Sequence, residues 1–203
     1  MSECTFPDLY ENMKACIGEK SLPGVRAHVY VISKRNIAVW PTLPAMDSTG
    51  ATLDSIAKYS GDFTLASSKY WKKIDLRENV NGIVSEVQGE DGSKSFKDTA
   101  TMIYPGTTAQ AAGFCRQAVN DDLVFAIPMR DGQIRILGNS AFKTSVNPSL
   151  DLGKAATDAA QTQIEATVDT VCPAPFYPGK LMLSATEYVD GTDDTVKEVE
   201  DDD

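Results

Sequence analysis

A mainly β fold, built as a β-sandwich or partly closed barrel with one flanking α-helix, is what this sequence predicts. Three observations carry the expectation. Eight or more short alternating or β-branched runs recur between about residues 25 and 185, each bounded by Gly, Pro, Asn or Asp. One central segment, about 108–120, combines a capping residue with an apolar stripe at helical spacing. No internal repeat is visible, and no apolar run approaches the roughly 18 residues of a spanning helix. With 42% hydrophobic and 24% charged residues, the 203-residue chain has the composition of a soluble globular protein and the length to bury a core as one domain.

Taken in order, the elements begin with a short N-terminal helix. In "FPDLYENMKACIG" Leu9, Met13 and Cys16 fall at helical spacing, and Pro7 stands near the start. This helix belongs to an arm, residues 1–23, of a single β domain spanning 1–185. Strands follow at about 25–33 and 36–40, ending in "WPTLP", where two prolines stop any ladder. Residues 41–61 read as a long loop. "DFTLAS" and "YWKKIDL" resume short strands, with Trp71 a packing anchor. Extended runs at about 83–88 and 94–104 are joined by the turn "GEDGS".

The central helix is predicted from "PGTTAQAAGFCRQAVN", with Thr107 as N-cap and Gln110 three residues on, and Ala111, Phe114, Cys115 and Ala118 on one face. Next, "LVFAIPMRDGQIRILGNS" reads as a hairpin. A four-residue loop, Arg130–Gln133, would put Phe125, Ile127, Met129, Ile134 and Ile136 on one buried face and leave Pro128 at a non-bonded position, with the strand's other edge free or interrupted there. "TQIEATVDTV" alternates Ile164, Ala166 and Val168 with polar residues, and "KLMLSA" supplies a last short strand.

Charge sorts the possible partners. The net charge is -10, but from Glu187 onward nine acids stand against one base, Lys197, leaving 20 acids and 18 bases in the rest. A nearly neutral body offers no basic face for gripping phosphates. The acidic end, residues 186–203, reads as a solvated, disordered tail, because like charges with few apolar residues cannot offset the cost of ordering. It lacks the alternating ligands of an EF-hand calcium loop.

Catalytic and metal constellations are sparse. Cys4, Cys16, Cys115 and Cys172 contain no Cys-x-x-Cys pair, and one histidine gives no local zinc cluster, so free thiols are expected, with Cys4 and Cys16 the pair to examine first should a disulfide exist. His28 sits in the alternating "VRAHVYVIS" and reads as an ordinary strand residue. "GEDGSKS" lacks the spacing and following helix of a phosphate loop and reads as a turn. No catalytic, cofactor-binding or metal-binding residue is assigned, no cofactor is expected, and the chain reads as a non-enzyme. "MSECTFPDLYENMK" has neither basic start nor apolar core, so no secretory signal is expected.

The succession "PGVRAHVYVISKRNIAVWP", "DFTLASSKYWKKIDL", "VSEVQGEDGSKSFKDTATMIYPG", the helix, and "LVFAIPMRDGQIRILGN" resembles the tail tube proteins of tailed bacteriophages, particularly those of phages infecting Bacteroidetes, over about residues 24–185. The resemblance implies a virion structural protein with a β-sandwich and flanking helix, forming hexameric rings that stack into a conduit for DNA ejection. It implies partners as well: further copies of this chain, initiator or baseplate, terminator and possibly sheath proteins, and DNA in transient passage, with no membrane binding. Assembly would take place in the host cytoplasm. The acidic end has no counterpart in that pattern. A neck or tail-terminator ring protein and a monomeric β-sandwich binding module are the alternatives.

Overall fold

Two four-stranded antiparallel sheets and their shared core organise the chain in the computed structural model, which describes residues 7–14, 22–155 and 157–199. The first sheet contains β1 (His28–Ser33), β4 (Lys72–Asp75), β7 (Leu123–Pro128) and β8 (Ile134–Leu137), in the order β4-β1-β7-β8. The second contains β5 (Gly82–Gln88), β6 (Ser95–Pro105), β9 (Ser145–Asp151) and β10 (Gln161–Thr170), in the order β5-β6-β10-β9. A two-stranded ribbon pairs β2 (Ile37–Val39) with β3 (Thr64–Leu65), and a third sheet joins β11 (Lys180–Met182), β12 (Glu187–Asp190) and β13 (Val196–Glu198). One α-helix, α1 (Ala109–Ala118), completes the described secondary structure beside two 3-10 turns. The fold is mainly β, with several antiparallel sheets and one substantial helix, and no sheet closes on itself.

The core has two parts. Val29, Val31, Phe125 and Ile127 pack with Met102, Ile164 and Val168 of the second sheet. On the opposite side of the same strands, Tyr30, Ile32, Val124, Ile134 and Ile136 pack with Phe63, Trp71, Tyr177, Leu181 and Val189. Because side chains alternate across a strand, β1, β7 and β8 form a middle layer buried on both faces, while the outer strand β4 keeps Lys72, Lys73 and Asp75 exposed. All six residues of β7 are buried accordingly. Trp71 serves as the expected anchor, fully buried with its ring edge-on to Phe63.

The helix forms where predicted, and its apolar stripe is buried at Ala111, Cys115 and Ala118 while Phe114 packs on the core. Its N-cap is Thr108 rather than Thr107: the Thr108 hydroxyl accepts from Ala111 N at 3.2 Å. The third helical position is therefore Ala111, and Gln110 cannot complete a capping box.

Three further expectations are corrected. The N-terminal helix is absent over residues 7–14, which form neither helix nor strand, and its remaining turn, with Cys16, lies outside the described residues. In the hairpin, Ile127 pairs with Arg135 and Ala126 with Ile136, one residue from the expected register. Met129 N donates to Gln133 O (2.8 Å) and Gly132 N to Met129 O (3.0 Å), which closes a three-residue loop with Gly132 at φ 98°. A side chain there would meet the Asp193 backbone at 2.9 Å, so the backbone needs glycine both for its dihedral and for its space. As a result Ile134 and Ile136 lie on the face opposite Phe125 and Ile127. Pro128 nonetheless sits beside a bonded pair and not in one, and on its other edge the β1 ladder is interrupted after Ala126, with Pro128 O still accepting from Arg26 N (2.9 Å) and Val25 bridging Met129.

The third correction concerns the acidic end, where residues 187–199 are not a disordered tail. They contribute β12, β13 and a turn that buries Gly191 and Asp194, whereas 200–203 lie outside the described residues. Asp190 and Asp193 spend their carboxylates on local turns, each accepting from the backbone and hydroxyl of the threonine two residues on. Such Asx turns fold an acid-rich segment without requiring apolar burial.

Candidate assembly surface

The second sheet has one dry and one wet face. Ala100, Met102, Ile164, Ala166 and Val168 point into the core. Read across the four strands, the other face carries the rows Val84–Thr99–Thr167–Ser145 and Gly82–Thr101–Glu165–Asn147. Short hydroxyl and amide side chains dominate it. Its charged residues are Glu86, Asp151, Glu165 and Asp169 against Lys97, which gives the face an excess of negative charge.

Of the four outer edges of these two sheets, three have no strand partner among the described residues, with α1 lying beside β9. β5 and β9 are the outer strands of the second sheet, and β4 is an outer strand of the first. Val84 and Val87 on β5, Leu150 on β9 and Leu152 just beyond it are exposed. The remaining edge of these two sheets is covered within the chain: Ile136 N donates to Pro175 O (3.0 Å) and Tyr177 N to Ile134 O (2.8 Å), which closes off β8. The contrast is informative, since uncovered strand edges present unpaired N–H and C=O groups to any neighbouring chain.

A second constellation surrounds Asp194. Its carboxylate is shut off from solvent, and it accepts from Arg26 Nη1 (2.7 Å) and the Tyr30 hydroxyl (3.0 Å) with His28 Nε2 at 2.9 Å. Burial pushes the Asp194 pKa up, but the hydrogen bond and charge of His28 and the bonds from Arg26 and Tyr30 outweigh it, holding the group below the usual carboxylate value. Burial and the adjacent Asp194 raise the Tyr30 pKa. His28 is thus a strand residue, as expected, that also helps to clamp one carboxylate. The sequence reading missed Asp194, although Arg26, His28 and Tyr30, donors at every second position leading into and along β1, hint at a shared acceptor.

Behind β8 lies a third group. Asp98 accepts from Ala174 N through Oδ2 (2.9 Å) while Oδ1, on the side of Ser85, meets no donor at hydrogen-bond geometry among the described residues, and burial raises its pKa. The Arg135 guanidinium lies 3.9 Å from the Phe176 ring centroid and donates to Ala174 O, pinning the segment that covers β8. Cys172 and Cys115 are free and buried; burial pushes Cys172 up to about 11 and raises Cys115. Cys4 and Cys16 lie outside the described residues. Denatured, unreduced protein is expected to react with four equivalents of a thiol reagent. In native protein near pH 8, Cys172 should react about a hundredfold more slowly than an ordinary exposed cysteine, since the thiolate is the reactive form; equal rates would contradict its burial.

The "GEDGS" segment forms the expected turn, with Ser93 N donating to Glu90 O (3.0 Å). Among the described residues no group of three or more His, Cys, Asp or Glu side chains is placed to hold a metal ion. No family model, curated protein or solved structure matches the chain.

Proposed function

We propose that this chain is a virion structural protein, a β-sandwich subunit that associates through open strand edges into hexameric rings, stacked as the tail tube of a bacteriophage. The observation that carries the reading is the second sheet: two open edges, β5 and β9, flank a face of threonine, serine, glutamine and asparagine with an excess of carboxylates. Joining β5 of one copy to β9 of the next would continue the sheet around a ring and turn that face to a lumen. A hydroxylated, weakly negative wall repels phosphates and offers duplex DNA no base or backbone grip. The hexameric number and the tube come from the resemblance to tail tube proteins.

The same edges serve a neck or tail-terminator subunit, which forms one ring and stops. A different observation favours a monomeric binding module: an apolar groove of about 770 Å³ between Leu43, Met46 and Ile56 on one side and Phe96 and Val171 on the other.

Negative-stain microscopy of concentrated protein, with and without tail-initiation proteins, separates the three. Stacked rings with a lumen of roughly 20 Å or more, wide enough for B-form DNA, are expected. Single rings that never stack point to the terminator. Protein that stays monomeric with initiators present and saturably binds a small ligand points to the binding module.

A further inference from the structure

The open edge of the first sheet borders a trough that has its own chemistry. Among the described residues β4 is paired by β1 alone, its other side being bonded only beyond its ends, at Trp71 N to Met182 O and Arg77 N to Ile103 O, and Leu76 N donates to Ala27 O at 2.8 Å. In that register the bonded pairs toward β1 fall on Lys72, Ile74 and Leu76, so Lys73 and Asp75 aim their N–H and C=O groups at the open side. Beside them runs a cavity of about 240 Å³ bounded by Tyr104, Ala111 and Phe114, continued by one of about 610 Å³ that passes Lys69 and Lys72. Its wall is apolar at Ile74, Phe114 and Ile164. Its rim is basic: Arg35, Lys69, Lys72 and Lys73 outnumber Asp75 and Asp121, on a chain of net charge -10. Lys69 and Lys72 make no ion pair among the described residues.

The chain carries a segment of the complementary kind. Residues 7–14, "PDLYENMK", form neither helix nor strand, and Tyr10 and Met13 are 86% and 89% exposed. Apolar and acidic residues interleave in it. Laid out as a strand, Leu9, Glu11 and Met13 share one face and Asp8 and Tyr10 the other. The exposure of Tyr10 and Met13 means that a chain does not fill its own trough with its own arm.

We propose that residues 7–14 of a second copy lie extended along β4, in the trough between that strand and α1. Backbone groups of the arm pair with Lys73 and Asp75, as in strand addition to a sheet edge. Leu9 and Met13 rest against Ile74 and Phe114 with Glu11 beside Lys72, while Tyr10 and Asp8 pass over Lys73. The inference rests on the self-association proposed above and adds to it a contact separate from the β5 and β9 edges.

The test places p-benzoylphenylalanine at position 10 of the full-length chain and irradiates an equal mixture of 15N-labelled and unlabelled protein at high concentration. Mass spectrometry should find mixed-isotope adducts on residues 69–75 or 110–117. Reversing the rim with Lys69→Glu and Lys72→Glu, both exposed and so harmless to the melting temperature, should lower the adduct yield at least about fivefold through like-charge repulsion. Asp8→Lys with Glu11→Lys should restore it. Adducts confined to one chain, mixed-isotope adducts found only on the groove beside Phe96, where a chain's own Pro7 already lies, or a yield indifferent to charge reversal would each overturn the inference. Microscopy of the same samples keeps the two readings apart. Rings whose adducts map elsewhere sink the arm contact and leave the tube; mixed adducts on β4 without rings retain the arm contact and sink the tube.

Discussion

A chain ending at Val189 should melt about 10 °C or more below the full-length protein. Truncation removes β13 and Asp194, and it leaves Ile134 N without its acceptor, Gly191 O. Removing one partner of a buried ion pair costs about 3–5 kcal/mol; Arg26 is one-third exposed, which argues for the lower end. An orphaned buried N–H adds about 1 kcal/mol or more. For a protein of this size each kcal/mol moves the melting temperature by about 2–4 °C. Calorimetry decides the matter, and a fall of under about 2 °C would show that the C-terminal strands contribute nothing.

Asp194→Asn isolates the charge. Because the folded protein holds the Asp194 pKa below its unfolded value, the ionised group contributes stability that is complete above the unfolded value, about 3.9, and lost as pH falls through the folded one. The gap in melting temperature between native protein and Asp194→Asn should therefore be full at pH 7 and shrink below pH 4. A gap that widens in acid would reverse the assigned sign.

The second large effect lies in the middle layer. Phe125→Ala should cost about 3–5 kcal/mol and Ile136→Ala about 2–5 kcal/mol, as truncations of fully buried side chains do; both side chains are at most 1% exposed. Gln133→Ala, on an exposed side chain, should stay within about 0.5 kcal/mol. Since Phe125 faces the second sheet and Ile136 the Trp71 cluster, the two losses should add in the double variant. Urea unfolding at constant m-value measures each. A coupling above about 1 kcal/mol would place both on one face and reinstate the four-residue loop.

What could be read in the sequence depended on how many faces of a strand are buried. β10 displays its alternation because Ile164, Ala166 and Val168 face a core and Gln163, Glu165 and Thr167 face outward. β7 is apolar at all six positions, so alternation exists in space but not in the letters, and the pairing slipped by one residue. The deciding residue was Gly132, whose tight fit against Asp193 comes from a partner 61 positions away. β9 was unreadable because Pro148 argues against a strand; it is tolerated on an edge, where one side of the backbone needs no partner. The acidic end was misread for a related reason: charge predicts solvation only until a distant set of donors claims the carboxylate. The polar rows of the second sheet were visible as letters, but their assembly into one face needed the register of four strands.

The clamp on Asp194 also sets an order in time. Arg26 and Asp194 are separated by 168 positions in the chain, so a growing polypeptide presents Arg26 and the β1 donors His28 and Tyr30 long before their anion has been translated. Contacts this distant in sequence form late and slowly. The clamp therefore closes only after residue 194 has been made, and until then His28 and Tyr30 stand without the anion that fixes them.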